Sequence, residues 1–152
     1  MEYCVQTKNA LETIQFAEKI AGHLNRQDLI LLEGDLGAGK TTFTKGLAEG
    51  LGISQMVKSP TFTILREYRS GKLPLYHLDV YRLEEAGSDD LGIEEYIEGD
   101  GVAVVEWAHF IRDILPPDYL EITITRVSDE VRDIVLNPVG NRYEALCAEV
   151  MK

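Results

Sequence analysis

Residues 34–41 read Gly-Asp-Leu-Gly-Ala-Gly-Lys-Thr, which matches the Gly-x4-Gly-Lys-[Ser/Thr] pattern of a phosphate-binding P-loop. In such a loop the backbone N–H groups surround the α- and β-phosphates, the lysine reaches the β- and γ-phosphate oxygens, and the hydroxyl ligates Mg²⁺. The apolar run 29–32 precedes the loop, and residues 41–51 read as a helix closed by Gly52. Because strand, glycine-rich loop and helix is the order that this motif requires, the stretch predicts a nucleotide-binding α/β fold.

Each residue type in the loop has a physical role. Glycines permit positive φ and let backbone amides approach an anion without a Cβ in the way. A helix that begins near Lys40 directs its unpaired N–H groups and the positive end of its dipole at the phosphates. We expect Lys40 to lie exposed on the loop as a point charge, Thr41 to ligate Mg²⁺, and Thr42 to reach the α-phosphate. The predicted nucleotide-binding residues of this segment are Gly34, Leu36, Gly37, Ala38, Gly39, Lys40, Thr41 and Thr42. Within that set, Leu36 is expected to shape the loop more than to touch the ligand.

The length and composition of the chain limit the classes of protein to consider. With 152 residues, of which 45% are hydrophobic and 27% charged, we expect one globular domain over residues 1–152. No apolar run approaches about 18 residues, and no basic segment followed by an apolar one begins the chain, so we expect neither a membrane span nor a signal peptide. Cys4 and Cys147 are too isolated for a zinc site or a disulfide framework. These features favour a cytoplasmic protein with reduced thiols.

The net charge of −11 is concentrated in one part of the chain. Between Leu83 and Ile111 there is no lysine or arginine, whereas nine aspartates and glutamates fall inside this stretch. Such a run is either a solvated acidic surface or a docking face for a basic partner. Since an acidic chain is poorly suited to hold a phosphate backbone by itself, direct nucleic-acid binding is disfavoured.

The remaining pattern alternates between strands and helices. Expected strands cover 3–7, 29–32, 61–68, 73–79, 102–105, 120–126 and 131–137. Expected helices cover 10–24, 41–51, 107–115 and 141–150, with short helical pieces in 87–97. Strand pairs joined by short turns are expected to be antiparallel, and the two prolines at 116 and 117 should end the third helix. The pattern predicts an α/β, P-loop NTPase-like three-layer sandwich with a mixed β-sheet.

Two carboxylates at predicted strand ends are candidates for the chemistry of hydrolysis. The apolar strand at 102–105 is followed by Glu106, which is the form of a Walker B element, whose carboxylate can hold the Mg²⁺ shell or position the attacking water. In the extended segment before Arg82, His77, Asp79 and Tyr81 share one face, and Asp79 is a second candidate acid. The alternative for Asp79 is a structural aspartate that caps a following turn.

The segment Ser-Pro-Thr-Phe-Thr at 59–63 follows the P-loop helix, where nucleotide hydrolases carry switch loops. Pro60 forces Ser59 into an extended conformation, and the Thr61 hydroxyl is a candidate sensor of the γ-phosphate or its Mg²⁺. The alternative is a plain turn that enters a strand.

Four motifs together resemble a known family. They are the loop at 34–42, Lys-Ser-Pro-Thr-Phe-Thr at 58–63, His-x-Asp-x-Tyr-Arg-Leu at 77–83 and Val-Val-Glu-Trp at 104–107. Their order is that of the TsaE (formerly YjeE/YdiB) ATPase family, which serves bacterial tRNA threonylcarbamoyladenosine modification. The resemblance covers essentially the whole chain, although no motif can be matched after Trp107.

The resemblance implies an ATPase that uses ATP and Mg²⁺, is weak alone, and depends on a complex with two protein subunits of the TsaD and TsaB type. One of those subunits transfers the threonylcarbamoyl group to the adenosine at position 37 of tRNA. The ATPase itself supports turnover of that complex and meets tRNA only indirectly. Catalytic roles are implied for Lys40, Asp79, Glu106 and Thr61. Metal roles are implied for Thr41 and Glu106, and a contact at the nucleotide edge for Trp107.

Other classes share parts of this pattern. A small-molecule or nucleoside kinase also begins with strand, P-loop and helix, but residues 83–111 hold no lysine or arginine to clamp a transferring phosphoryl group. A small GTPase is disfavoured because no Asn-Lys-x-Asp base-recognition sequence occurs. A non-catalytic adaptor that holds ATP as a conformational latch stays open. Nucleotide turnover by the protein alone and with its partners distinguishes these classes.

Overall fold

The computed structural model describes residues 2–35, 37–58, 65–80, 93–108 and 113–152. Seven strands in these ranges form one mixed sheet in the order β1-β7-β6-β2-β5-β4-β3. The strands are β1 (Tyr3–Thr7), β2 (Leu29–Glu33), β3 (Leu65–Tyr68), β4 (Leu75–Asp79), β5 (Val102–Glu106), β6 (Tyr119–Arg126) and β7 (Arg132–Val139). The central strands β6, β2, β5 and β4 run parallel, and β3, β7 and β1 join through antiparallel pairings. The predicted α/β fold with a mixed sheet is confirmed.

Four helices lie in the described ranges. They are α1 (Ala10–Ala21), α2 (Lys40–Gly50), α3 (Ile93–Ile97) and α4 (Asn141–Val150). Helix α1 begins where the Asn9 side chain accepts a hydrogen bond from the Glu12 N–H at 2.9 Å, which is ordinary N-capping. None of these helices has the length and apolar composition needed to cross a membrane.

Apolar packing covers both faces of the sheet, which is why the central strands β2 and β5 are continuous apolar runs. On one face, side chains of α1, α2 and α4 pack with alternate residues of the central strands, such as Leu32 and Val104. Helix α2 lies against α1 at Gly46, where a Cβ would come within 2.5 Å of the Ile14 carbonyl oxygen. On the other face, Ile93 and Ile97 of α3 pack with the remaining strand residues. Since successive side chains of a strand alternate between faces, Glu106 lies on the same face as Val104, together with its register partner Asp79. Helix α2 covers this face, so the P-loop helix and the candidate acids share it.

Several element boundaries differ from the expectation. The helix predicted from Trp107 to Leu115 was wrong at its start, because Trp107 has a left-handed φ of 62° that an α-helix does not accommodate. Helix α1 ends at Ala21, three residues before the predicted end at Leu24. The first residues of the strand predicted at 61–68 lie outside the described residues, within which β3 begins at Leu65.

Candidate functional site

The loop between β2 and α2 lies at the carboxyl end of a central parallel strand. Gly37 and Gly39 have φ values of 82° and 105°, a left-handed conformation that is cheap only for glycine. Ala38 N–H donates to the Asp35 carbonyl at 2.9 Å, which closes the turn. The predicted loop residue Leu36 lies outside the described residues. The glycines thus occupy the conformations for which the motif needs them.

Helix α2 begins at Lys40, and Gly39 precedes it as an N-cap that makes no side-chain hydrogen bond. The N–H groups of the first helical turn are therefore not satisfied by a side chain of the cap residue, and the positive end of the helix dipole lies at the loop. Thr41 and Thr42 lie in this turn and are half-buried. An anion placed at this helix start would meet backbone donors and two hydroxyls.

Lys40, Glu106 and His77 form one connected cluster beside the loop. The Lys40 Nζ lies 3.3 Å from Glu106 Oε1, and His77 Nε2 lies 2.5 Å from Glu106 Oε2. The Lys40 side chain is only 11% exposed, so the expectation of an exposed lysine was wrong. The ion pair draws its ammonium group toward the end of β5. Each carboxylate oxygen of Glu106 therefore has its own nitrogen partner.

The register of two strands brings the candidate acids together. Strands β4 and β5 pair in parallel with Asp79 opposite Glu106 and His77 opposite Val104. Residues opposite each other in a sheet share a face, so both carboxylates and the imidazole lie on the face that α2 covers. Asp79 and Glu106 are both buried, at 4% and 5% exposure. Two carboxylates thus lie side by side where β4 and β5 end.

The surroundings of Glu106 favour its ionised form. Burial alone would raise the pKa of this carboxyl, but its hydrogen bond and electrostatic interaction with His77, followed by the charge of Lys40, outweigh burial and hold its pKa below the ordinary value. An ionised carboxylate at this place can accept a proton from water or contribute an oxygen to a metal shell.

His77 was not assigned a role from the sequence. Its side chain is fully buried, yet it is polar and contacts Glu106 from the neighbouring strand. The available signal was its position two residues before Asp79 on the same face of a strand. The contact with Glu106 could not be predicted from this signal, because it depends on the pairing of β4 with β5, which the sequence does not give.

Arg132 is a second residue that the sequence reasoning missed. It begins β7, and its Nε donates to the Ala38 carbonyl of the P-loop at 2.8 Å. Its Nη1 donates to the carbonyls of Ser128, Asp129 and Val131 in the turn before β7. The guanidinium thus connects the β6–β7 turn to the loop. No local motif surrounds Arg132, so no sequence signal indicated this contact.

Trp107 follows Glu106 directly and lies at the edge of a cleft. The Lys40 Nζ lies 4.9 Å from the centre of the Trp107 ring, a cation–π distance. A cleft of about 480 Å³ runs beside the loop, lined in part by Gly34, Ala38, Trp107 and Arg126. The cleft is open to a ligand bound at the loop.

The described residues also limit how a metal would be held. Within them, no group of three or more His, Cys, Asp or Glu side chains is arranged to hold a metal ion. Mg²⁺ does not need such a group, because it is usually bound by one or two carboxylates together with substrate phosphates and water. Thr41 and Glu106 remain the candidate metal residues. The candidate switch residue Thr61 lies outside the described residues.

Comparisons with known proteins agree on one family. A family model described as the threonylcarbamoyl adenosine biosynthesis protein TsaE matches residues 7–134. The chain is 55% identical over 147 residues to the Bacillus subtilis tRNA threonylcarbamoyladenosine biosynthesis protein TsaE, which covers 97% of this chain and 92% of the relative. It is 40% identical to the Treponema pallidum protein of the same name, over 88% of this chain and 98% of the relative. A crystal structure of YdiB from Bacillus subtilis superposes with a TM-score of 0.87 at 50% identity, over 99% of this chain and 95% of that chain.

Proposed function

This chain belongs to the TsaE family, which serves the biosynthesis of threonylcarbamoyladenosine in tRNA, and from that premise we propose that it binds and hydrolyses ATP to support turnover of the transferase complex. The observation that carries the proposal is the meeting of Lys40 and Glu106 at the P-loop. A phosphate-directed lysine, a helix N-terminus and a strand-end carboxylate are the recurring parts of P-loop hydrolases.

The backbone N–H groups of the loop and of the first turn of α2 bind the phosphates in this proposal. Lys40 supplies positive charge to the β- and γ-phosphates, and the Thr41 hydroxyl and Glu106 contribute oxygens to the metal shell. A Mg²⁺ ion held by these residues would supply positive charge to the phosphate oxygens.

Glu106 and Asp79 divide the work of the acids. The lowered pKa of Glu106 keeps its carboxylate ionised near neutral pH, so that it can orient the attacking water or accept its proton. Asp79 lies opposite Glu106 in the β4–β5 register, and we assign it to the second shell of the same water or metal. Thr61 keeps its proposed role as the switch that senses the γ-phosphate.

Trp107 contacts the nucleotide at its phosphate end. Because Lys40 reaches the β- and γ-phosphates, a ring 4.9 Å from Nζ lies near those phosphates rather than near the base. An aromatic ring there excludes water from one side of the lysine.

The partners in this proposal are protein subunits of the TsaD and TsaB type, and tRNA is met only through them. Glu94, Glu95 and Glu98 are exposed on and after α3 and belong to the described part of the acidic stretch, which also includes the exposed Asp100 and the buried Glu106. We assign the three exposed glutamates to docking on a basic protein surface, because complementary charge accelerates association. In this role the chain acts as one domain in the cytoplasm.

Nucleotide turnover tests the proposal. ATP hydrolysis is measured for the protein alone, with the two partner subunits, and with the Lys40→Ala variant in the same complex. We expect slow turnover alone, faster turnover in the complex, and loss of the increase with the variant. Phosphate transfer to a metabolite would favour a kinase instead, and tight ATP binding without turnover would favour a nucleotide latch.

A further inference from the structure

We propose that His77 is a positioning residue that holds the Glu106 carboxylate in its working orientation. The inference rests on the proposed ATP hydrolysis and gives a role to a residue that the proposed function does not use. Three features of the described structure support it. They are the one hydrogen bond of the His77 side chain, the two groups that Lys40 has to bind, and the free-energy cost of burying an imidazole.

The first feature is a directed contact. The His77 side chain is fully buried, and its Nε2 lies 2.5 Å from Glu106 Oε2. Among the described residues, the other ring nitrogen, Nδ1, has no hydrogen-bond partner. An ionised carboxylate oxygen can only accept, so the proton in this contact lies on Nε2. His77 therefore donates the Nε2 N–H to Glu106.

The second feature is that the two partners of Glu106 are not equivalent. Lys40 also holds Glu106, at 3.3 Å from Oε1, but the same ammonium group has to serve the phosphates when a nucleotide binds. His77 is fully buried on the sheet face that also carries α2, and within the described residues it has no second hydrogen-bond partner. It therefore keeps one oxygen of Glu106 fixed while the other oxygen is available to water or metal.

The third feature is that a structural role alone does not explain a histidine here. Leu75, which lies two residues before His77 on the same face of β4, and the opposite residue Val104 are apolar and fully buried. An apolar side chain would fill this position without the cost of burying a polar ring nitrogen that lacks a partner. A polar contact that is retained against such a cost points to a requirement at Glu106.

Three variants separate positioning from packing. His77→Gln keeps an N–H donor at about the reach of Nε2, His77→Asn keeps a donor at the shorter reach of Nδ1, and His77→Leu removes the donor but preserves apolar packing. We expect His77→Gln to keep kcat for ATP hydrolysis in the complex within about 3-fold of wild type. The Asn and Leu variants should lose about 10- to 100-fold in kcat, with KM for ATP changed by less than about 3-fold, as for removal of an outer-shell partner.

A double variant tests whether His77 acts through Glu106. When Glu106 is replaced by glutamine, His77 loses the carboxylate that it positions, so His77→Leu should add less than about 3-fold to the loss caused by Glu106→Gln alone. Thermal unfolding of each variant shows whether it is folded. If His77→Asn does not fold, the kcat of His77→Leu tests the inference. Wild-type kcat in His77→Leu, or a full multiplicative loss in the double variant, would overturn the inference. If the wild-type complex itself fails to hydrolyse ATP, the proposed function fails instead.

Discussion

Lys40 Nζ lies 3.3 Å from Glu106 Oε1, and the two side chains are only 11% and 6% exposed. The pair joins the first residue of the P-loop helix to the last residue of a neighbouring strand. Since a charge in such a place is stabilised mainly by its partner, a change in either residue alters the electrostatics of the other. Variants of this pair therefore have to be tested for folding as well as for nucleotide binding.

We expect Lys40→Ala to abolish tight binding of Mg²⁺-ATP while the fold stays intact. A hydrogen bond between charged groups contributes about 1.5–3 kcal/mol, which corresponds to about a 10- to 100-fold loss of affinity. Calorimetry measures the affinity, and circular dichroism checks the fold. Lys45→Ala is the matched control, because Lys45 is an exposed lysine of the same helix. Unchanged ATP affinity in Lys40→Ala would refute the role of the P-loop.

We expect Glu106→Gln to slow hydrolysis by about 100-fold or more, in the range of a general base, with a smaller effect on ATP binding. The amide keeps the shape of the side chain but cannot accept a proton from water. Single-turnover hydrolysis in the complex separates the chemical step from binding. Asp79→Asn should also impair the ATP cycle in the complex. Wild-type kcat in Glu106→Gln would transfer the role of the acid to Asp79.

We expect Arg132→Ala to weaken ATP binding by about 10-fold, because the loop loses the hydrogen bond that holds the Ala38 carbonyl. Arg132→Lys should lie between the variant and wild type, since an ammonium group cannot reproduce the planar fork of the guanidinium. Equilibrium binding of ATP is the measurement. The control is Arg69→Ala, which removes a surface arginine that follows β3 at the opposite end of the sheet. An affinity in Arg132→Ala equal to that of the control would contradict this role.

Replacing Glu94, Glu95 and Glu98 by lysine should slow association with the partner subunits and leave ATP binding by the isolated protein unchanged. The effect should shrink as salt rises, because exposed charges are screened beyond roughly 8 Å at physiological ionic strength. Association rates at low and high salt are the measurement. A control protein with the exposed residues Glu2, Glu49 and Glu149 replaced by lysine has the same net charge. Equal association rates for the two proteins would indicate that the acidic stretch is a solvated surface and not a docking face.

The stability of the fold should fall as pH rises from about 10 to about 12, in part because of Tyr143. Burial raises the pKa of this phenol from 10.0 to about 12, and its oxygen accepts the Leu29 N–H at 2.9 Å. In this interval the unfolded chain loses the proton that the folded protein keeps, so alkali favours unfolding. Thermal unfolding against pH tests this. Tyr143→Phe should be less stable at neutral pH and should lack this part of the alkaline loss; an identical pH profile would contradict the assignment.

Local features of the fold could be predicted from the sequence because their residues are contiguous. The P-loop, the strand before it and the helix after it follow one another, so one motif and two apolar patterns identified all three. Helix α4 has the predicted bounds, Asn141–Val150, since its periodicity begins directly after Gly140. The prediction of a helix from Trp107 was wrong because Trp107 has a positive φ, which nothing in the local composition indicated.

By itself, then, the sequence determined the type of fold and the identities of the candidate acids, because periodicity, glycine placement and strand-end carboxylates are local properties. The tertiary structure alone decided which side chains meet. The β4–β5 register brings His77 to Glu106, the start of β7 brings Arg132 to Ala38, and burial turns Lys40 from an expected exposed charge into a partner of Glu106. These contacts depend on strand order and register, which are set by the packing of the whole sheet and not by any single segment.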